Sequence, residues 1–366
     1  MQTIRQLTAY LETLAPLAYQ ESYDNAGLLV GNPDTPITGV LVTLDCTEAV
    51  VAEAVANGCN LIVAHHPIVF RGLKKLTGST YIERTVISAI RHDVAIYASH
   101  TNLDSVTGGV NFRIAEQLGL QNVRILTLKP QTTAKLVTFV PLSYTQTVLD
   151  ALHDAGAGNI GNYSRVSYRN EGMGSYMANE HANPAMGSIG EYHQEPEHRI
   201  EVVFPKHLQA PVLAALRRAH PYEEIAYDIF ALETTNHTVG SGIVGELPEP
   251  ISETDWLHYL KNRMNLPLIR HTPLLGRPVH RVAVCGGAGG FLLNDAIRAA
   301  AAVFVTADYK YHEYFDADGR IIICDIGHYE SEAFTKDLIV RHLAEKFTTF
   351  AVIFSETDTN PVRYFK

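Results

Sequence analysis

Cysteine, basic residues and long apolar runs are all in short supply in this chain. Its four cysteines, Cys46, Cys59, Cys285 and Cys324, form no C-x-x-C pair, so no thiolate metal site is signalled. Each lies in or beside an apolar stretch, the usual setting of a buried free thiol in a reducing compartment. None has the charged, partly open neighbourhood of an activated cysteine. Lys and Arg number 29 against 39 Asp and Glu, a formal net charge of -10. A surface that grips phosphates needs clustered cations, so nucleic acid is not an expected partner. No apolar run approaches the length of a membrane span. Residues 1–7 start an amphipathic helix without the apolar core of a signal peptide, which makes the cytoplasm the expected location. What is plentiful is core material. At 366 residues and 46% hydrophobic, the chain can fill two or three domains.

The most informative stretch is Asn60-Leu61-Ile62-Val63-Ala64-His65-His66-Pro67. Residues 61–64 form a short apolar run bounded by Gly58 and Pro67, the pattern of a buried strand. Pro67 stops it and leaves two imidazoles at its carboxyl end, where open α/β sheets place their ligands. Neighbouring side chains on extended backbone point different ways, so the pair suits two metal ions better than one. The bland alternative is a polar strand end capping a loop. Two further strand ends argue against it. Residues 94–99 run into His100-Thr101-Asn102-Leu103-Asp104, and residues 320–326 into Gly327-His328-Tyr329-Glu330-Ser331-Glu332. His328 and Glu332 are four apart at a helix start, on one face and close enough to share a site.

Residues 1 to about 128 alternate helix and strand, the rhythm of a mainly parallel sheet. Helices are expected at 4–14, 47–57, 81–92 and 110–118, and strands at 39–44, 61–64 and 94–99. Composition changes after Pro130. The order strand, helix, loop or edge hairpin, strand, helix, strand then matches a split βαβ, ferredoxin-like unit. Residues 130–235 therefore read as a domain inserted into a two-part α/β core made of 1–129 and 236–366. The core resumes near Gly240, with helices at 255–264 and 291–301, strands at 279–285, 303–306 and 320–326, and one long helix over 331–347.

Several motifs have two readings. Cys285-Gly286-Gly287-Ala288-Gly289-Gly290 sits between strand and helix and invites a phosphate-loop interpretation. It matches neither nucleotide fingerprint, and a tight turn explains it equally well. Asp308 and His312 are four apart and offer either groups supporting a metal or a polar helix start. Asp24-Asn25 offers either a local turn, the favoured reading, or a loop that reaches the site. His220-Pro221-Tyr222-Glu223-Glu224 lacks partners at comparable strand ends and reads as packing. His181, His193 and His198 fall in a loop-rich segment and are expected to be solvated.

Together these segments carry a resemblance. Asp24-Asn25-Ala26-Gly27-Leu28, Ala64-His65-His66-Pro67, His100-Thr101-Asn102-Leu103-Asp104, Thr306-Ala307-Asp308-Tyr309-Lys310-Tyr311-His312 and Gly327-His328-Tyr329-Glu330-Ser331-Glu332 span the chain in one order. In that order they resemble the GTP cyclohydrolase I type 2 homologues, the dinuclear metal-centre hexameric proteins also described as Ngg-interacting-factor-three-like. The middle segment resembles the PII-like insert of the family's longer members. The resemblance implies metal ligands His65, His66, Asp104, His328 and Glu332, and a homohexamer with its sites facing an internal cavity. On that basis His66 and Asp104 are assigned to one divalent cation and His65 and His328 to the other, with Glu332 bridging. Mixed nitrogen and oxygen donors suit Zn, Fe, Mn, Co or Ni. His100 and His312 are candidates for proton transfer. The expected function is a metal-dependent hydrolase of a nucleotide or phosphoester, a small-molecule substrate. The alternative is a non-catalytic metal-binding, metal-delivery or regulatory hexamer.

Overall fold

The computed structural model describes residues 1–365 and divides into two compact units, residues 1–128 with 237–366, and residues 129–236. In the first unit the short strand Leu61–Ala64 is buried at every position because its sheet is covered on both sides. Sheet order is Gly27–Val30, Ala95–Ala98, Leu61–Ala64, Gly39–Thr43, Ala351–Phe354. Only the first pairing is antiparallel. Alternate residues face opposite ways. Leu41, Ile62 and Ile96 pack on one face against Val50, Val51 and Ala89 of the flanking helices. Val40, Val42, Leu61, Val63 and Tyr97 face the other way, into the central core.

That core is shared with a second, six-stranded sheet, through Val282, Val284, Val303, Val305 and Ile322. Between the sheets lie the apolar faces of helices Ile4–Leu14, Val110–Gln117, Glu253–Arg263 and Thr335–Lys346, including Leu7, Ile114, Trp256 and Leu343. Parallel pairing is confined to the centre of this second sheet, strands Val279–Ala288, Val303–Ala307 and Ile322–Asp325. Its flanks, Arg270–His271, Gly240–Ile251 and Gln121–Leu128, are antiparallel. The α/β reading holds, with this sheet more mixed than mainly parallel. The long flanking strand Gly240–Ile251 escapes periodicity because it carries three glycines and two prolines within twelve residues. The helix expected over 331–347 is two, His328–Glu332 and Thr335–Lys346, with a break at Ala333 and Phe334. Among the described residues no helix is long and apolar enough to cross a membrane.

The second unit is one antiparallel sheet in the order Tyr168–Met177, Tyr192–Pro205, Thr133–Pro141, Tyr227–Ala231. Helices Thr145–Asp154 and Gln209–Ala219 bury Val148, Leu152, Val212 and Leu216 against its Leu136, Ile200 and Phe204. In chain order the strands lie second-third-first-fourth, the arrangement of a βαββαβ unit. The loop-rich stretch is largely a long hairpin, with the strand Tyr168–Met177 mostly exposed.

Candidate metal centre

Three strand ends meet within the first unit. His65 and His66 follow Leu61–Ala64. His100 and Asp104 follow Ala95–Ala98, on the short helix Thr101–Asp104 and its cap. His328 and Glu332 form the helix His328–Glu332 after Ile322–Asp325 of the second sheet. Their donor atoms converge in three overlapping groups: His65 with Asp104 and Glu332, His66 with His328 and Glu332, and His65 with His66 and His100. Glu332 is central. Its Oε2 lies 2.9 Å from His66 Nε2 and 3.1 Å from His328 Nε2, and its Oε1 lies 3.8 Å from His65 Nε2. His65 Nε2 is also 3.6 Å from Asp104 Oδ1. The geometry therefore pairs His65 with Asp104 and His66 with His328. The sequence reading set His66 with Asp104 and His65 with His328 around Glu332; in the metal-free geometry His65 lies nearer Asp104 and His66 nearer His328.

Every imidazole is held from behind at Nδ1. The partners are the Ser99 carbonyl for His65, Asp45 for His66, Asp24 for His100 and Asp308 for His328, each at 2.7 Å. A carbonyl can only accept, so His65 carries its proton on Nδ1 and presents a bare Nε2 to the cluster. That Nε2 and Asp104 Oδ1 are buried with no hydrogen-bond partner. A lone-pair nitrogen and a carboxyl oxygen facing each other in a buried pocket are a donor set that a cation would satisfy. Backing of ring nitrogens by carboxylates and carbonyls is how proteins orient metal-binding histidines. The residues fit a metal centre.

The electrostatics agree. Burial disfavours charge on His66 and His328, but hydrogen bonds to Asp45 and Asp308 from behind and to Glu332 in front outweigh it. The two are carried up to about 9 and about 11. Protons on these imidazoles thus occupy the positive position that a cation would take. Fully buried His65 is pushed down by burial. Burial and the neighbouring Glu332 push Asp104 well up, while the histidine hydrogen bonds hold Glu332 well down against its own burial. Despite burial, hydrogen bonds from His100 and Thr101 keep Asp24 at about 2.

The glycine loop is a space-maker. Its amides are already used: Gly286 donates to Asn111 Oδ1, Gly287 to Ser331 Oγ and Gly289 to Thr306 Oγ1, each at 2.9 Å. They are not free to cradle a phosphate. A Cβ on Gly287, which has φ +60, would lie 2.5 Å from Glu332 Oε1. Beside the cluster opens a cavity of about 420 Å³, with Tyr23, Phe70, Asn111 and Phe291 on its walls together with His100. Cys285 also lines it, but burial pushes its thiol up, which makes it a poor nucleophile.

Two sequence expectations change here. Asp24 is more than a local turn residue: it bonds His100 and Thr101 across the fold. His312 is exposed, stacks near Tyr311 and Phe315, and belongs to none of the converging groups. The 3-10 turn Tyr311–Ala317 carries it away from the cluster, whereas Asp308 before that turn reaches His328. Asp45 escaped sequence reasoning. Its signal was its place just past the carboxyl end of Gly39–Thr43, beside the strand that ends in the histidines.

Fold and cluster define an α/β protein whose two-sheet unit carries a histidine–carboxylate cluster able to hold metal. The chain belongs to the Duf34/NIF3 (NGG1p interacting factor 3) family, whose match covers residues 2–361. It is 37% identical to the GTP cyclohydrolase 1 type 2 homolog of Bacillus subtilis (strain 168), over 98% of both chains. It is 38% identical to the protein of the same name from Halalkalibacterium halodurans, over 99% of this chain and 98% of that one. The solved structure of a Bacillus cereus protein related to NIF3 superposes with a TM-score of 0.86 at 34% identity, covering 100% of this chain and 99% of the other. Staphylococcus aureus protein SA1388 gives 0.79 at 28% identity, with the same coverage.

Proposed function

We propose that the cluster holds two divalent cations, one by His65, Asp104 and Glu332 Oε1, the other by His66, His328 and Glu332 Oε2, and that this centre serves hydrolysis of a small molecule of nucleotide size. The observation that carries the reading is the buried, unpartnered pair His65 Nε2 and Asp104 Oδ1 facing the doubly engaged Glu332. Nitrogen and oxygen donors together suit Zn, Fe, Mn, Co or Ni. Two such cations supply Lewis acidity and charge compensation for an attacking oxygen and a leaving group.

The chain's own residues do the rest. His100, backed by ionised Asp24 at 2.7 Å, sits beside the cluster and faces the cavity, placed to take or give a proton. Tyr23, Phe70 and Phe291 offer aromatic faces to a planar ring. The name of the relatives, GTP cyclohydrolase 1 type 2 homolog, is in keeping with a purine-sized substrate, and a phosphoester is the other candidate. The homohexamer implied by the family resemblance and a cytoplasmic setting complete the proposal. Light scattering showing a stable monomer with full metal content would remove the hexamer from it.

The test is turnover by metal-loaded protein on nucleotide and phosphoester panels. Activity is expected, and it should vanish in a folded Glu332→Ala variant. Full metal content without turnover on any panel would instead support the non-catalytic, metal-delivery reading.

A further inference from the structure

The last described residues run back across the site. After the strand Ala351–Phe354, the Ser355 amide donates to the Val42 carbonyl at 2.9 Å. Ser355 Oγ and Thr357 Oγ1 then donate to Glu53 of the helix Glu48–Ala56, at 2.6 and 2.7 Å. Two residues further on, Thr359 Oγ1 donates to Asp45 Oδ2 at 2.8 Å. Asn360 Nδ2 follows, donating to Glu330 Oε1 at 3.1 Å, on the helix that carries His328 and Glu332. Asn360, Val362 and Tyr364 wall a second cavity, of about 580 Å³, which also reaches His66 and His328. Residues 355–364 therefore form a strap joining the loop behind His66 to the helix of His328.

Asp45 hydrogen-bonds both an imidazole and this strap. Its Oδ1 accepts from His66 Nδ1 at 2.7 Å, and its Oδ2 takes the Thr359 hydroxyl. A carboxylate held at one oxygen still turns about a soft terminal torsion. Held at both oxygens, its plane is fixed, and with it the imidazole whose Nε2 faces Glu332 Oε2 at 2.9 Å. The Asp45 backbone is pinned separately, its carbonyl accepting from Thr43 Oγ1 at 2.9 Å. The threonine hydroxyl is thus what settles the remaining rotation.

We propose that Thr359 is a positioning residue for the metal centre, acting through Asp45 to aim His66. The proposal rests on His66 being a metal ligand. It makes the strap part of the site although no strap residue belongs to the converging donor groups. Removal of the hydroxyl should weaken the cation shared by His66 and His328 and leave the cation at His65 and Asp104 in place.

The test uses the full chain, stripped by chelator and titrated with Co²⁺ alone. Visible absorption and elemental analysis report the two sites, and an unfolding midpoint checks the fold. Thr359→Val is expected to weaken the second Co²⁺ about tenfold, the low end for loss of a group that orients a ligand. Thr359→Ser should restore it. Thr357→Val, which loosens the strap at Glu53 without touching Asp45, should leave both sites unchanged. If valine disturbs the fold, Thr359→Ala asks the same question. Unchanged Co²⁺ affinity in the Thr359 variants, with one ion lost in His66→Ala, overturns the proposal. Equal weakening by Thr357→Val and Thr359→Val also overturns it, since the strap would then be a general tether. Full metal content in His66→Ala overturns the underlying assignment of His66 instead.

Discussion

Gly287 leaves open the volume that the Glu332 carboxylate occupies. A Cβ there would stand 2.5 Å from Glu332 Oε1 and 3.2 Å from His328 Cε1, and the backbone has φ +60. Gly287→Ala therefore carries two penalties. Left-handed backbone costs an L-residue about 1–2 kcal/mol, and the new methyl pushes the Glu332 carboxylate out of line. The expected outcome is a modest fall in unfolding midpoint with a large fall in metal content. Gly290→Ala is the control, since its nearest neighbours are 3.7 Å or more away. Normal metal loading in a folded Gly287→Ala protein would show that the loop does not confine Glu332.

Because both Glu332 oxygens are engaged, its removal should be felt on both sides. Glu332→Gln replaces one acceptor oxygen by a donor NH₂ group. Elemental analysis is expected to show metal lost from both positions. His65→Ala should chiefly empty the position shared with Asp104, and His66→Ala the position shared with His328, the pairing given by the distances. Close to two ions per chain in Glu332→Gln would argue against a bridge. Coupled loss of His66 and Asp104 function would restore the pairing read from sequence.

The ligand-type residues were legible because each follows a short apolar strand, and a strand end is a local feature. His65, His66, Asp104, His328 and Glu332 all sit where the sequence places them. Of the groups that hold the imidazoles, Asp308 was among the sequence readings, but the others were not legible, because their partners are distant. His66 takes its support from Asp45, 21 residues away, and His100 from Asp24, 76 residues away. Which histidine shares which carboxylate depends on how two sheets face each other, and no spacing encodes that. The strands Gln121–Leu128 and Gly240–Ile251 were missed for a different reason. They pair antiparallel at the sheet's flank, and neither strand buries alternate residues along its length.

Metal binding should be strongly pH-dependent. In the metal-free protein His66 and His328 are raised to about 9 and about 11, so both are charged at neutral pH. Each must release its Nε2 proton before that nitrogen can bind a cation. Filling their shared position should therefore expel about two protons per ion, and affinity should climb as pH rises toward 9. The stability sign is opposite for the metal-free form. A raised folded-state pKa gives stability that is fully present below the unfolded value and is lost as pH rises through about 9 to 11. The gap in unfolding midpoint between loaded and stripped protein should thus widen with pH. Proton release measured in weak buffer checks the count, and an affinity that is flat between about pH 6 and pH 8 would contradict the assignment.

The insert should be dispensable for metal binding. Every residue of the cluster, and every group that orients an imidazole, lies in residues 1–128 or 237–366. Residues 129–236 have their own core, built from Leu136, Val148, Phe204 and Leu216, so removing them takes no apolar partner out of the other unit's core clusters. A chain leaves and re-enters a domain at such an insertion without crossing its core. Replacing 129–236 by a short Gly/Ser linker is expected to leave a folded protein with the metal content of the full chain. The strands Gln121–Leu128 and Gly240–Ile251, which pair with each other beside the excision, give the linker a ready-made hairpin to close. A soluble, folded deletion product that binds no metal would mean that the insert supplies a ligand, or an essential contact, that the geometry of the single chain does not contain.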